Sequence, residues 1–340
     1  MKKVRVAING LGRIGRAFLK LAVKRSEIQL VAVNDLGDIN NLAYLLKYDS
    51  AYGQSGLKIE VRENKLIVEG QEIIFLQERE PNRLPWHDLT VDVVVESTGL
   101  FESYDKAKQH IDAGARKVVV SAPIKGEPTP GITGATILMG INDDRLAECQ
   151  ITSNASCTTN SASPVIKILH DSIGIEKAIL NTVHGYTATQ KLVDAPDARD
   201  WRRGRAAAAN IVPSTTGAAV AVTEAITELR DRFDGIALRV PIITGSLADI
   251  TFIAKRPTSV EEVNRILKQA ATLPRWQNIF SVTEEPLVSS DIIGSPYASL
   301  ADLALTRVVG GNLVKVLAWY DNEVGYTHTL VQHVIKAGSA

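Results

Sequence analysis

The sequence has little cysteine, few aromatic residues and no net charge. Two cysteines in 340 residues exclude a disulfide framework, and the simplest expected location is the cytoplasm. Lys plus Arg and Asp plus Glu each total 38, so no global field draws the chain to nucleic acid or to a membrane surface. No apolar run is long enough to span a bilayer, and MKKVRVAING reaches a loop signal before any leader-length stretch, so neither an anchor nor a signal peptide is expected. There is no internal repeat and no low-complexity tract. The apolar share of 45% and charged share of 22% are those of a folded globular protein. At 340 residues the chain exceeds what one core usually supports, which predicts two domains.

What is present is an alternation. Strand-like runs VRVAI, IQLVAVND, VDVVVES and KVVVSAP alternate with helical patterns such as RIGRAFLKLAVKR, as in a parallel sheet with crossover helices. Beyond SNASCTTN the runs lengthen to KAILNTVHGYT, GIALRVPI, LADITFIAKR and LVKVLAWYDN. With a helix expected over TGAAVAVTEAITELRDRF, they predict an α+β domain with a mixed, largely antiparallel sheet. The expected fold class is α/β, with residues 1–155 and 323–340 forming one domain and 156–322 the other. The C-terminal helix from NEVGYTHTLVQHVIKAG returns to the first domain.

VRVAI runs directly into NGLGRIG, residues 9–15, and then into a helical pattern. In this setting Gly10 permits the tight turn, Gly12 the approach of backbone to a pyrophosphate, and Gly15 the contact of helix with sheet. Asp35 ends the second strand, twenty residues after Gly15. Its carboxylate suits ribose hydroxyls and repels a 2′-phosphate, which predicts NAD rather than NADP on a doubly wound, Rossmann-type sheet. Three glycines or a strand-end acid alone are commonplace; their order carries the reading.

SNASCTTN, residues 153–160, surrounds Cys157 with hydroxyls and amides instead of apolar side chains. The following helical pattern sets the thiol at a helix N-terminus, where the dipole favours a thiolate, and Pro164 should bend that helix. Among six histidines, His184 ends an apolar run and opens GYTATQ, so its imidazole is the candidate base for the thiol. A satisfied core histidine is the bland alternative, and that reading suits His170 and His333. His87, His110 and His328 have no evident chemical neighbour. No spacing suggests a metal site. Farther on come Arg199 to Arg205 (RDWRRGR), PSTTGAA at 213–219 and Arg239 in ALRVP. Guanidinium, threonine hydroxyls and a helix start after Gly217 suit phosphate. The arginine run by itself reads first as a solvated face or a subunit contact, and RRGR also suggests RNA; neutral charge and the lack of an aromatic nucleic-acid motif count against RNA.

Taken together, AINGLGRIGR, VAVND, LLKYDSAYG, ESTG, SNASCTTN, HGYTATQ, VPSTTGAA, ALRVP and WYDNEVGY resemble the phosphorylating glyceraldehyde-3-phosphate dehydrogenase family nearly end to end. The resemblance implies oxidation of glyceraldehyde 3-phosphate with NAD and inorganic phosphate to 1,3-bisphosphoglycerate through a cysteine thioester, in a homotetramer. It implies Cys157 as nucleophile and His184 as its activator, with Arg13, Ile14, Asp35, Arg79, Ser121 and Asn322 contacting NAD. It also implies substrate and phosphate contacts from Ser156, Thr158, Thr187, Thr216, Gly217 and Arg239, with Arg202 or Arg203 assisting.

Four departures stand out. Ser161 replaces a second cysteine found in many members, Gly185 follows the histidine where a small side chain is usual and should loosen His184, IITGSLAD departs from an Asn-Val-Ser pattern in an interface strand, and Ala195-Pro196 replaces a Leu-Pro bearing on NADP exclusion. A related thiol dehydrogenase for erythrose 4-phosphate or a semialdehyde, and a non-catalytic NAD- or RNA-binding protein, remain alternatives. Cys157 and His184 together with Arg239 disfavour the last.

Overall fold

The computed structural model describes residues 2–198 and 200–340, so Arg199 lies outside the described residues. The chain divides into two compact units, Met1–Ala155 with Thr327–Ala340, and Ser156–Tyr326. The expected returning segment 323–340 therefore changes unit at Thr327.

In the first unit, strands β1 (Val4–Asn9) and β2 (Ile28–Asn34) are rich in Val, Ile and Leu and almost wholly buried, as strands covered on both faces must be. Helix α1 (Arg13–Ala22) connects them, and α2 (Ile39–Lys47) leads to a small hairpin of β3 (Tyr48–Asp49) and β4 (Gly53–Gln54). Three further strands follow, β5 (Ile59–Arg62), β6 (Lys65–Val68) and β7 (Gln71–Leu76), then β8 (Val93–Glu96), α3 (Tyr104–Asp112), β9 (Lys117–Val120), β10 (Gly134–Thr136) and β11 (Ile151–Ser153). The sheet runs β10-β11-β9-β8-β1-β2-β7-β6-β5. It is parallel from β10 to β7, and β5 and β6 form an antiparallel extension that the alternation analysis did not anticipate. Sequence order reverses on either side of β1, so the crevice beyond the carboxyl ends of β1, β2 and β8 is where such a sheet takes a ligand.

In the second unit, α4 (Cys157–Ile173) continues through Pro164, and its buried side packs with α5 (Ala218–Ala225) and α6 (Val260–Ala271) on one face of a sheet. Its strands are β12 (Ile175–Gly185), β13 (Val212–Thr215), β14 (Phe233–Val240), β15 (Ser246–Ala254), β16 (Phe280–Thr283), β17 (Ser299–Val309) and β18 (Leu313–Tyr320), in the order β13-β14-β12-β15-β18-β17-β16. Only β12–β14 and β16–β17 pair in parallel. The expected helix over 216–233 stops at Ala225. Beyond it, β-branched Ile226 takes φ −120° and ψ 76°, and a 3-10 turn, Thr227–Leu229, redirects the chain into β14.

Helix α7 (Val324–Ser339) starts in the second unit, and from Thr327 onward it belongs to the first. There His333, fully buried, donates from Nδ1 to Asn154 Oδ1 at 3.0 Å and accepts from Thr152 Oγ1 at 2.8 Å. Burial lowers its pKa to about 3. Protonation therefore favours the unfolded chain, whose histidines titrate near ~6.5, so this contribution to stability is full above that pH and declines as pH falls toward 3. Between pH 7 and pH 5 His333 should account for up to about 2 kcal/mol of lost stability. Urea midpoints at the two pH values check this: His333→Gln should be weaker at pH 7 but show a shallower dependence, and an unchanged slope would contradict the assignment.

Candidate active site

The glycine loop after β1 is shaped by backbone demands. Gly10 has φ +94°, and a Cβ there would meet the Thr98 nitrogen at 2.7 Å; a Cβ on Gly15 would meet the Gly10 oxygen at 2.0 Å. Both positions are therefore closed to side chains by the protein itself. Gly12 differs, because a Cβ there meets nothing within 4 Å. It is also the N-cap of α1 and makes no side-chain capping bond. Space kept empty beside the start of a helix fits a pyrophosphate.

The loop is fastened from below. Asp35 Oδ2 accepts the Leu11 N–H at 2.7 Å and Oδ1 the Gly37 N–H at 2.8 Å, while Ser97 Oγ donates to the Gly10 carbonyl at 2.7 Å. Beneath it lies a buried polar network. Glu96 accepts from Asn9 Nδ2 at 2.6 Å and from the Thr98 N–H at 2.8 Å, and its Oε2 stands 3.1 Å from His110 Nε2. Trp86 Nε1 donates to His110 Nδ1, so the His110 proton is on Nε2, toward Glu96. Sequence reasoning missed Asn9, Trp86, Glu96, Ser97 and His110 as loop supports. Arg13 turns its guanidinium to Asp49 at 2.7 Å and over the Tyr52 ring. Ile14 lies in the first turn of α1, Arg79 is exposed beyond β7, and half-buried Ser121 directly follows β9.

In the second unit, Cys157 is the first residue of α4. Ser156 is the N-cap, its hydroxyl accepting the Thr159 N–H at 3.0 Å. His184 ends β12, 3% exposed, with Nε2 3.3 Å from Cys157 Sγ. Sheet register brings the next group: β12 and β14 run parallel with His184 opposite Arg239. Arg239 Nη1 stands 2.6 Å from His184 Nδ1 and 3.3 Å from the Gly185 carbonyl, which is itself 2.7 Å from Nδ1. A guanidinium only donates, so contact with Arg239 places the imidazole proton on Nε2 facing sulfur, whereas donation to the Gly185 carbonyl frees Nε2 to accept. Burial, and then the Arg239 charge, lower the His184 pKa to about 3. The imidazole is neutral at neutral pH. Cys157 keeps partial solvent access, yet the protein packed around its sulfur pushes the thiol up, opposed by Arg239 and by donors from Thr158.

The ring of His184 is not loosened by Gly185, contrary to expectation. A Cβ at 185 would lie 3.0 Å from the Ile242 carbonyl and 3.1 Å from that of Ile243, and the Tyr186 N–H donates to Ile242. The IITG stretch thus packs directly behind the histidine, and glycine makes the room. Thr244 and Ser246 hydroxyls both reach Asn322 Oδ1, at 3.2 and 2.9 Å.

Of the two neighbouring arginines, Arg203 donates to Ser214 on β13, while Arg202 turns back to Asp200 and is largely exposed. Burial weakens the Arg239 cation, a Cys157 thiolate strengthens it, and Arg203 is close enough to weaken it further. Thr216 Oγ1 accepts the Ala218 N–H at 3.2 Å, keeping its own proton to donate, and Gly217 caps α5 without a side chain. Thr187 Oγ1 pairs with Thr189 Oγ1 at 2.9 Å. Tyr320 is a further residue that the sequence reading missed. Its phenol lies 2.8 Å from Thr158 Oγ1, and its ring meets His184 edge-on at 5.9 Å. Among the described residues no group of three His, Cys, Asp or Glu is placed to hold a metal, and no helix is long and apolar enough to cross a membrane.

The two glycines separate packing from binding. Gly12→Ala should melt within a few degrees of the parent and lose at least about tenfold in NAD affinity, since its methyl enters only the space a phosphate needs. Gly15→Ala should be strongly destabilised with or without cofactor. Calorimetry of both variants checks this, and unimpaired NAD binding by Gly12→Ala would contradict it.

Comparison with known proteins agrees in both units. The NAD binding domain of the glyceraldehyde 3-phosphate dehydrogenase family matches residues 4–104, and the family's C-terminal domain matches residues 156–322. A glyceraldehyde-3-phosphate dehydrogenase of Thermotoga maritima is 48% identical over 330 residues, covering 96% of this chain and 97% of the relative. One from Geobacillus stearothermophilus is 46% identical over 96% of each chain, and glyceraldehyde-3-phosphate dehydrogenase 2 of Saccharomyces cerevisiae is 42% identical over 98% of this chain and 100% of its own. Matched by both domain models and by relatives along nearly its whole length, this chain belongs to the glyceraldehyde-3-phosphate dehydrogenase family.

Proposed function

We propose that the chain oxidises glyceraldehyde 3-phosphate with NAD and inorganic phosphate to 1,3-bisphosphoglycerate through a thioester on Cys157. The 3.3 Å contact between Cys157 Sγ and His184 Nε2 carries this reading. Sulfur adds to the aldehyde carbon, the S–C bond forms, and the thiol proton passes by way of His184 Nε2 to the carbonyl oxygen, which becomes a hydroxyl. His184, neutral at working pH, takes that hydroxyl proton as the carbon gives up its hydrogen as hydride. NAD, when bound, supplies the hydride acceptor. A phosphate oxygen then attacks the thioester carbon, the C–S bond breaks, and the departing sulfur takes back the proton held on His184.

An imidazolium at His184 is disfavoured both by burial and by Arg239 beside it. An anion drawn to Arg239 offsets that charge and leaves Nδ1 to donate to the Gly185 carbonyl, so phosphate binding and proton acceptance support each other. Arg203 serves the anion site with Arg239, Thr187, Thr216 and Gly217; its placement on Ser214 supports it over Arg202. Ser156 and Thr158 flank the sulfur. Toward NAD we assign Gly10, Gly12 and Gly15, the backbone N–H groups of Arg13 and Ile14, and Asp35, Arg79, Ser121 and Asn322. The Arg13 side chain is engaged by Asp49. A cytoplasmic location suits two free thiols.

The helix-free face of the second sheet supports a homotetramer. Ile179, Ile236 and Leu313 are exposed, and Val183, Leu247, Ile253, Leu317 and Trp319 are only partly covered. Sedimentation should give a tetramer in which Ile236→Asp lowers the assembly state; a monomeric parent protein would contradict this.

Steady-state NADH formation in buffer without phosphate or arsenate tests the reaction. The expected result is a burst of about one NADH per site followed by near arrest. Full-speed turnover there would mean hydrolysis and overturn the proposal.

A further inference from the structure

A chain of hydroxyls approaches the nucleophile from its buried side. Tyr320, 1% exposed at the end of β18, places its phenol oxygen 2.8 Å from Thr158 Oγ1 and 2.8 Å from Thr182 Oγ1. Thr182 Oγ1 lies 3.3 Å from the Leu247 carbonyl, which can only accept. At the other end, Thr158 directly follows Cys157 in the first turn of α4, where its N–H and hydroxyl favour the charged form of the sulfur. Each hydroxyl has a single proton, so the chain has two self-consistent directions. In one, Thr182 donates to Leu247, Tyr320 to Thr182 and Thr158 to Tyr320, and no hydroxyl proton faces sulfur. In the other, Thr158 donates to sulfur, Tyr320 to Thr158 and Thr182 to Tyr320.

We infer that Tyr320 is a positioning residue that lets this chain reverse with the charge on Cys157, its hydroxyls pointing to sulfur while it is a thiolate and away once it is acylated. The inference rests on the reading of Cys157 as nucleophile. No bond to carbon changes and no proton moves between oxygens; each O–H only rotates about its C–O bond. The chain thereby helps a sulfur that sits among few compensating charges. His184 faces it from β12, Arg239 from β14 and Tyr320 from β18, with Arg203 behind Arg239, and His184 is neutral. A donor that withdraws after acylation stabilises the thiolate without equally holding the later thioester, which is differential stabilisation along the reaction.

The test is the pH profile of Cys157 alkylation by iodoacetamide. Tyr320→Phe keeps the ring against His184 and removes only the hydroxyl. Its midpoint should rise by roughly 0.5–1 pH unit, equivalent to about three- to tenfold less thiolate below the midpoint, with NAD affinity unchanged. Thr182→Val, which breaks the chain without touching the tyrosine, should shift the profile the same way, and Thr182→Ser should restore it. A Tyr320→Phe profile superimposed on the parent, or equal shifts from Thr182→Ser and Thr182→Val, would overturn the inference while leaving Cys157 as nucleophile. Alkylation of Cys157 in the parent without loss of activity would overturn the nucleophile reading itself, and this inference with it.

Discussion

The second unit is organised around a neutral imidazole held within reach of a thiol in a setting that disfavours charge on both. Neither residue achieves this alone. Cys157 is fixed by the start of α4, where the Ser156 hydroxyl caps the helix by accepting the Thr159 N–H. His184 is fixed by the end of β12, and the parallel pairing of β12 with β14 brings Arg239 beside it. Tyr320 arrives at the same edge of the sheet through the antiparallel pairing of β15 with β18. A change of one residue in either register would send these side chains to opposite faces. His184, Arg239 and Tyr320 thus all come from the carboxyl ends of strands that run the same way, β18 sharing the direction of β12 because each pairs antiparallel with β15.

Charge is arranged to change during turnover. At rest the buried histidine is neutral and the thiol is raised by its surroundings, while Arg239 sits against the imidazole. On the proposed mechanism, each incoming anion alters that balance in the direction the chemistry needs, favouring a proton on His184 and occupying Arg239. Gly185 and the IITG stretch belong to the same arrangement. The close approach of the Ile242 and Ile243 carbonyls leaves no room for a side chain at 185, so the two departures noted in the sequence form one packing solution behind the histidine.

Much of this was legible in the sequence because some motifs act through local backbone. The run from VRVAI through NGLGRIG to the helix makes demands that only glycine meets at Gly10 and Gly15, and those demands can be read without tertiary structure. The helix start at Cys157 was legible from the helical spacing that follows it. The antiparallel extension was less legible: its turns place Glu63 and Glu69 at positive φ, and glutamate does not signal a turn. Long-range pairings were not legible at all. His184 and Arg239 are 55 residues apart, Thr158 and Tyr320 are 162 apart, and Glu96 meets Asn9 across 87. Nor could periodicity separate Arg202 from Arg203. A single 3-10 turn, Trp201–Gly204, directs one to Asp200 and the other to Ser214.

The central claim is that oxidation proceeds through carbon bound to the Cys157 sulfur. Rapid mixing of the protein with NAD and glyceraldehyde 3-phosphate in phosphate-free buffer, acid quenching within the first turnover and peptide mass spectrometry test it most directly. The account predicts a phosphoglyceryl thioester on the peptide containing Cys157, formed in step with NADH and removed on adding phosphate. NADH formation with that peptide unmodified, or an acyl group on any other residue, would contradict it.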